Sequence, residues 1–312
     1  MKNKLFIIIP ILFILLYLFY PGENIKVYIE EGRNATQIAN QLKKEGVIWS
    51  SFYFKFLIKI TGTSKKIMPG EYIFKKKTAH EIVLWKMTHS IYINSIRIVI
   101  PEGWRSEQIA ERLKQNGIIA DEKEFMEIVK TRKLEGYLFP STYYLKKNMR
   151  ADEVIKILTD QFEKNITPLF SLANLPSYID NYKALILASI VEREAVIDTE
   201  RPLIAAVYLN RIKRNMPLEA DPTVQYALGY WKKNLTLKDL KYPSPYNTYY
   251  VNGLPPTPIC NPGVKSVNAV LNPAAIDALY FVADRQGRHI FNNKFDEHKK
   301  AIKNIKNLYG DK

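Results

Sequence analysis

The sequence repeats itself in its first half, and this repeat restricts the possible folds more than any other feature. Residues 29–48 (IEEGRNATQIANQLKKEGVI) align without a gap on residues 100–119 (IPEGWRSEQIAERLKQNGII). In each copy alternating apolar residues precede Glu-Gly, and apolar residues at helical spacing then run to a glycine. This pattern predicts a short strand, a turn and an amphipathic helix with a glycine cap. The chain therefore contains a duplicated strand–turn–helix unit with a period of about 70 residues.

The duplicated unit is compatible with two roles. Strand–helix units of this kind resemble LysM-like domains, and that resemblance implies a carbohydrate-binding module. A packed spacer between the N-terminus and a later domain would give the same pattern. The sequence leaves both interpretations open.

An apolar run precedes the repeat. Residues 5–20 carry no charge and follow two lysines, Lys2 and Lys4. The run is at the short end for a membrane span, which needs about 17–25 residues, and no small-residue cleavage site follows it. We expect an uncleaved single-pass anchor in the inner (cytoplasmic) membrane, with a cleaved signal peptide as the alternative. The positive-inside rule then places everything after Gly22 outside the cytoplasm.

The net charge restricts the classes of molecule that this chain is expected to bind. The chain has 46 Lys and Arg against 31 Asp and Glu, a net charge of +15. Such a balance is typical of proteins that meet an acidic polymer, an anionic membrane or nucleic acid. Outside the cytoplasm nucleic acid is not expected, whereas anionic envelope polymer or lipid is. A single cysteine, Cys260, and four histidines without metal-ligand spacing predict neither a metal nor a cofactor.

The composition changes after the repeat. Residues 132–312 hold predicted helices, a long stretch rich in Pro, Tyr and Asn, and a final hairpin with a closing helix. Regular periodicity is absent from residues 215–273, and loops of this length are usually functional or disordered. Their tyrosines favour an ordered loop. We therefore expect an α+β chain in three parts: residues 1–22 as cytoplasmic tip and anchor, 23–131 as the duplicated module, and 132–312 as a catalytic domain. The helices are predicted at 151–164, 178–195 and 201–213, and the hairpin strands at 279–284 and 289–292.

The stretch ALILASIVEREAV (residues 184–196) ends an apolar helix in two carboxylates. Glu192 and Glu194 lie about 200° apart around a helix, so they cannot face one site. Glu194 continues the bulky face of Leu187, Ile190 and Val191. Desolvation and the helix C-terminus would both raise the pKa of such a carboxyl, as a general acid requires. The alternative is that both glutamates form surface ion pairs with nearby lysine and arginine.

The segment SIVEREA resembles the helix end of lytic transglycosylases, in which one catalytic Glu precedes a small residue, usually Ser. Ala195 replaces that serine here. Seven blocks from residue 134 to residue 284 resemble, in order, the membrane-anchored endolytic murein transglycosylases (MltG- or YceG-like proteins). They read LEGYLFPSTY, ASIVEREA, VYLNRI, DPTVQYALG, SPYNTY, GLPPTPICNPG and LYFVAD.

The resemblance implies a lysozyme-like mixed α/β catalytic domain and a single catalytic residue, Glu194. The implied reaction is non-hydrolytic cleavage of the MurNAc–GlcNAc β-1,4 bond of peptidoglycan, giving 1,6-anhydro-MurNAc ends. Two alternatives stay open. Asp221 would serve as a second carboxylate if the enzyme were a muramidase-type hydrolase, or it would cap the helix that follows it. The second alternative is that the protein is a non-catalytic scaffold that binds peptidoglycan.

Polar and aromatic residues downstream of Glu194 are of the type that lines saccharide grooves. We expect substrate-binding roles for Asn210, Asp221, Tyr226, Tyr246, Asn247, Thr248 and Tyr249. Glu135 either joins this site or has a structural role in the turn of the LEGYLFP segment. The partners implied are peptidoglycan glycan strands, the inner membrane and, from the resemblance alone, cell-wall synthases.

Overall fold

The computed structural model describes residues 23–30, 32–89, 95–173, 175–230, 232, 234–284 and 286–309. These residues form an α+β structure that is mostly helical, with three two-stranded sheets. They separate into two compact units, one up to Ser95 and one from Ile96 onward. Within the described ranges no helix is long and apolar enough to cross a membrane. The predicted anchor at residues 1–22 lies outside them.

The first unit is the first copy of the repeat, and its described residues form five α-helices and strands rather than the predicted two elements, with a short 3-10 helix at Ser64–Lys66 besides. Strands β1 and β2 pair antiparallel, with Asn24 opposite Lys75 and Ile29 opposite Gly70. Apolar side chains from both strands and all three helices form one core. The elements are β1 (Asn24–Ile29), α1 (Ala35–Lys44), α2 (Ser51–Thr61), β2 (Gly70–Lys75) and α3 (His80–His89).

The second copy repeats all five elements around a core of its own. Equivalent contacts recur 71 residues on: Lys77 N–H donates to the Gly46 carbonyl at 2.9 Å, and Asn148 N–H to the Gly117 carbonyl at 3.0 Å. The predicted division between residues 131 and 132 falls inside this copy. Its elements are β3 (Ser95–Val99), α4 (Ser106–Gln115), α5 (Glu122–Thr131), β4 (Thr142–Lys146) and α6 (Ala151–Asn165).

The remaining elements complete the second unit. The predicted hairpin is confirmed, with Tyr280 opposite Asn292, and the predicted helix at residues 201–213 has those bounds. The helix predicted from residue 178 starts at Asn181 instead, because Asp180 caps it and accepts from Lys183 N–H. The elements are α7 (Thr167–Leu172), α8 (Asn181–Glu194), α9 (Arg201–Lys213), α10 (Asp221–Leu228), α11 (Leu237–Leu240), α12 (Val264–Leu271), β5 (Tyr280–Ala283), β6 (His289–Asn292) and α13 (Phe295–Tyr309).

Helix α8 is the centre of the second unit. Every residue from Ala184 to Val191 is buried, because α9, α10 and α12 pack against it on different sides. A helix enclosed in this way needs apolar residues all round, which is why its sequence lacks a polar face. Its polar residues are therefore concentrated at its two ends.

The segment at residues 215–273 is less irregular than its sequence predicts. It contains three short helices, of 8, 4 and 8 residues, each too short to give a clear periodic signal. The loop before α12 is fastened to α8: the Ser189 hydroxyl accepts from Ile259 N–H at 3.0 Å, and the buried Cys260 thiol donates to the Ser189 carbonyl.

Asn261 joins this loop to the second copy of the repeat. Its fully buried side-chain oxygen accepts from Gly136 N–H at 3.0 Å and from Leu138 N–H at 2.8 Å. Its amide nitrogen donates to the Trp104 carbonyl and to the Glu135 carboxyl, both at 3.0 Å. One side chain thus connects three separate segments of the chain.

The close contact at Gly136 gives a stability prediction. Gly136 has φ +91°, and a Cβ there would lie 2.6 Å from Pro258 Cγ. Gly136→Ala therefore adds a clash to the cost of a left-handed backbone, and we expect it to lower the unfolding free energy by about 2–4 kcal/mol. Gly253→Ala is the matched control, since Gly253 has φ +89° with open space around it, and should cost about 1–2 kcal/mol. Urea denaturation measures both, and equal losses would contradict the packing argument.

Candidate active site

The carboxyl of Glu194 projects from the last residue of α8. The chain leaves the helix at Ala195 in an extended conformation, so no further helical turn covers the carboxyl. Tyr208, buried on the neighbouring helix α9, donates its hydroxyl to Glu194 Oε1 at 2.8 Å. Two packed helices therefore fix the position of this carboxyl.

Burial is the main reason that the pKa of Glu194 rises, to about 7. The Tyr208 hydrogen bond lowers this pKa, the negative charge of Asp221 raises it, and the positive charge of Arg193 lowers it. Burial of the Tyr208 ring, and after it the charge of Glu194, raise the pKa of the Tyr208 hydroxyl well above its ordinary value, so that hydroxyl keeps its proton. At neutral pH Glu194 is thus present both as acid and as carboxylate, which suits an acid–base catalyst.

Glu192 serves a different purpose. Its carboxylate pairs with Arg201 at 3.2 Å, and both side chains are more than nine-tenths buried. It also accepts from the Ser266 hydroxyl at 2.8 Å and from Gly263 N–H at 3.0 Å. These contacts connect the end of α8 to α9 and α12. Glu192 therefore holds helices together, as its position on the other helix face predicts.

A cavity of about 310 Å³ opens beside Glu194. Asp221 and Tyr249 face it, and the Tyr249 hydroxyl donates to Asp221 Oδ1 at 2.8 Å. Helix α10 begins at Asp221 and no side chain caps it from the preceding Ala220, so the carboxylate faces solvent instead of serving as the N-cap. The residues that line the cavity are Glu194, Tyr208, Arg211, Leu218, Glu219, Asp221, Tyr249, Phe281, Val282, Ala283, His289 and His298.

Tyr226 and Tyr246 form a separate aromatic pair outside this lining. Their ring centroids are 4.8 Å apart, and the Arg105 guanidinium lies 4.8 Å above the Tyr226 ring. The Tyr246 hydroxyl bonds to that of Thr257 at 2.9 Å. Both rings are half-buried, so each keeps part of its surface for contact.

Three of the predicted binding residues have hydrogen bonds to the protein instead. Asn210 donates to the carbonyls of Ile276 and Ala278 at 2.8 and 3.1 Å. Asn247, fully buried, donates to the Leu240 and Tyr242 carbonyls. Thr248, also fully buried, accepts from Ala220 N–H at 2.9 Å. These residues do not line the cavity, and they position the loops around it.

Several cavity residues were not predicted from the sequence. Tyr208 sits within VYLNRI but is 14 residues from Glu194, so no local spacing links them. Arg211 lies under the cavity, where its guanidinium donates to the Leu279 and Leu218 carbonyls and to Glu219. His289 is held by Glu200 at 2.6 Å. Only the packing of distant segments brings these groups together.

Glu135 is buried and is not among the residues that line the cavity. It accepts from Ser106 N–H at the start of α4 and from Asn261. Burial raises its pKa to about 8, so the carboxyl is largely protonated at neutral pH. Its role is to join the LEGYLFP turn to the start of α4 and to the loop that carries Asn261. Across the described ranges, no group of His, Cys, Asp and Glu is arranged to hold a metal ion.

The raised pKa of Glu194 predicts a pH-dependent stability. The folded protein holds this proton up to about pH 7, whereas an ordinary Glu loses it near 4.5, so folding weakens as pH rises between these values. Glu194→Gln removes the effect. We expect the variant to be more stable than the wild type by about 1–3 kcal/mol at pH 8.5, with a smaller gain at pH 5. Urea denaturation at both pH values measures this.

Glu163→Gln, at an exposed position on α6, is the control for that measurement. It removes an exposed negative charge away from the cavity, so its difference from Glu194→Gln in unfolding free energy at the two pH values isolates the effect of the buried carboxyl. A Glu194→Gln variant that follows the wild type at every pH would mean that this carboxyl ionises as freely as a surface group.

Relatives and solved structures agree on one family. An "Endolytic murein transglycosylase" of Bacillus subtilis is 34% identical over 89% of this chain and 83% of its own length. The protein of the same name from Streptococcus pneumoniae is 27% identical, and the match spans 89% of this chain but 58% of that longer protein. A crystal structure of a YceG-like protein from Listeria monocytogenes aligns with a TM-score of 0.57 at 32% identity, over 90% of this chain and 99% of that one. A sequence model of the YceG-like family matches residues 27–304. With that match spanning most of its length, the chain belongs to the YceG-like family.

Proposed function

We propose that this protein is an endolytic peptidoglycan lytic transglycosylase with Glu194 as its catalytic acid and base. The observation that carries the proposal is the single carboxyl with a pKa of about 7, held by Tyr208 beside an open cavity. The names of the relatives from B. subtilis and S. pneumoniae support the substrate class.

In the proposed reaction Glu194 gives its proton to the glycosidic oxygen while the bond from that oxygen to MurNAc C1 breaks. The resulting carboxylate then takes the proton of the MurNAc 6-hydroxyl, and O6 forms a bond to C1. The products are a GlcNAc 4-hydroxyl end and a 1,6-anhydro-MurNAc end, and no water is consumed. Because the nucleophile belongs to the substrate, one carboxyl is sufficient, and the Glu194 proton is restored.

Asp221 supports the competing proposal of a muramidase. It faces the cavity that Glu194 faces, and its charge acts on Glu194. A second carboxylate that activates water would turn the same site into a hydrolase with two carboxyl groups. Its hydroxyl partner, Tyr249, would hold the carboxylate in place in either enzyme. For the transglycosylase, Asp221 instead keeps the pKa of Glu194 high and binds substrate.

The other parts of the chain fit the same proposal. An anchor at residues 1–22 would place both units outside the cytoplasm, on the membrane that carries growing glycan strands. The two copies of the repeat serve as LysM-like modules, and the part of the second unit that follows the second copy serves as a lysozyme-like catalytic domain. Tyr226, Tyr246 and Tyr249 are the stacking faces available to sugars. Cell-wall synthases are the proposed protein partners.

Glu194→Gln tests the catalytic role. The substitution keeps the side-chain shape but removes the proton, and we expect murein cleavage to fall by about 10²–10⁴-fold with the fold intact. Glu192→Gln is the matched control from the same helix end. It should melt at a lower temperature, because it leaves Arg201 with less charge compensation, yet still cleave per folded molecule. Loss of cleavage in the Glu192 variant alone would overturn the assignment.

Asp221→Asn separates the two reactions, with products identified by mass spectrometry of digested glycan strands. For a transglycosylase, wild type and variant both release 1,6-anhydro-MurNAc ends, and the variant is slower because Glu194 loses a neighbouring charge that raises its pKa. For a muramidase, the wild type releases reducing MurNAc ends, and the variant releases none. Reducing ends from the wild type would exclude the transglycosylase.

A further inference from the structure

One helix of the first unit presents large apolar side chains to solvent. Phe52, Phe56 and Ile60 lie on α2 at spacings of four residues, so they share one face, and Trp49 lies just before the helix; the four side chains are named here the apolar stripe. Their exposed fractions are 77, 50, 60 and 58%. The Trp49 ring packs in part against His80, with ring centroids 4.4 Å apart, but all four stripe side chains keep at least half of their surface exposed. They lie opposite the buried face of the same helix, formed by Phe54, Leu57 and Ile58.

The second copy of the repeat shows that the fold does not require this stripe. Helix α5 is the equivalent of α2, and its buried Phe125 and Val129 correspond to Phe54 and Ile58. The residues that correspond to the stripe are all exposed, and they are small or polar: Ala120, Lys123, Glu127 and Thr131. The same scaffold thus has an ordinary solvent face in one copy and an apolar one in the other. The stripe therefore has a purpose other than folding.

Charge around the stripe favours an anionic surface. Helix α2 contains no acidic residue, and Lys55 and Lys59 lie beside the stripe. Lys65 and Lys66 follow the end of the helix and are exposed. Helices that lie in a membrane interface combine Trp, Phe and other apolar side chains with lysines in this way. A sugar-binding face, by contrast, would need polar groups between its aromatic rings.

The sequence also places the stripe close to a bilayer, if residues 5–20 are the proposed anchor. That run ends at Tyr20 and β1 begins at Asn24. An extended chain rises at most about 3.6 Å per residue, so β1 begins within about 15 Å of the end of the run. The unit that carries the stripe is thereby held at the membrane surface at high effective concentration.

We propose that the apolar stripe of α2 inserts into the interface of the membrane that holds the anchor, with Lys55 and Lys59 next to anionic headgroups. The partner is a lipid surface, not a glycan. The contact fixes the orientation of the first unit on the bilayer and leaves the second unit to act on the cell wall. This goes beyond the proposed reaction and does not depend on which product the enzyme forms.

Tryptophan quenching tests the proposal on the full chain. The substitutions W85F, W104F and W231F leave Trp49 as the single reporter. The protein is reconstituted into vesicles of phosphatidylglycerol and phosphatidylcholine with brominated acyl chains, and flotation shows that it is anchored. We expect Trp49 to be quenched relative to unbrominated vesicles, since interfacial helices bury their apolar face about 5–10 Å into the headgroup boundary.

A triple variant separates the stripe from the anchor. Phe52→Lys, Phe56→Glu and Ile60→Thr install the residues of the second copy, which folds with them, and leave the net charge unchanged. This variant should still float with the vesicles but lose at least about half of the Trp49 quenching. The control is Leu172→Lys, at an apolar side chain on α7 of the second unit that is 86% exposed, and its quenching should equal that of the reporter protein.

Three outcomes would overturn the proposal. Flotation without Trp49 quenching would mean that the anchor holds the protein and the stripe stays in water. A protein that fails to float with the vesicles would show that neither the anchor nor the apolar stripe binds the membrane. A change in Trp49 emission on adding soluble glycan strands, without quenching by brominated lipid, would make the stripe a glycan-binding face. Murein cleavage by the triple variant in solution should equal that of the reporter protein, since the stripe lies outside the proposed active site.

Discussion

The enclosure of α8 on all sides is the constraint on which the second unit depends. Eight consecutive residues of this helix are buried, and α9, α10 and α12 are arranged around them. Because this buried stretch of the helix contains no charged residue, charged side chains occur only near the helix ends. Glu192 there binds the surrounding helices together, and Glu194 emerges between them at the cavity. Close apolar packing around the helix thus fixes the position of a polar, reactive side chain at its end.

Burial of this kind makes folding and reactivity oppose each other at Glu194. The protein environment that brings its pKa to about 7 also disfavours the charged form that the second step of the proposed reaction needs. Glu135 is a buried carboxyl with a structural role. It is buried more deeply than Glu194, and it accepts hydrogen bonds from Ser106 N–H and from the Asn261 side chain. Both carboxyls have raised pKa values, but only Glu194 faces open space. Geometry, rather than the pKa shift, distinguishes the reactive carboxyl from the structural one.

Local sequence patterns predicted local features well. The bounds of α9, the hairpin, and the difference between Glu192 and Glu194 follow from helical and strand periodicity, which depends on neighbours along the chain. Contacts between distant segments left no such pattern. Tyr208 meets Glu194 and Asn261 meets Gly136 only through packing. Asn247 and Thr248 have the composition of a sugar-binding loop, yet they are buried because loop backbone inside a protein needs side-chain partners of its own.

The two copies of the repeat are under unequal restriction at the same turn. Gly32 and Gly103 are equivalent, with φ of +83° and +77°, yet a side chain at Gly32 would meet nothing within 4 Å. A side chain at Gly103 would meet Arg193 and Glu192, and its N–H is already bound to the Asn261 carbonyl. Both glycines have a left-handed backbone, but one turn lies in open space and the other is in contact with the helix that carries Glu194. A side chain at Gly32 would therefore meet only the cost of its backbone conformation, whereas one at Gly103 would also press on the helix end that presents Glu194 to the cavity.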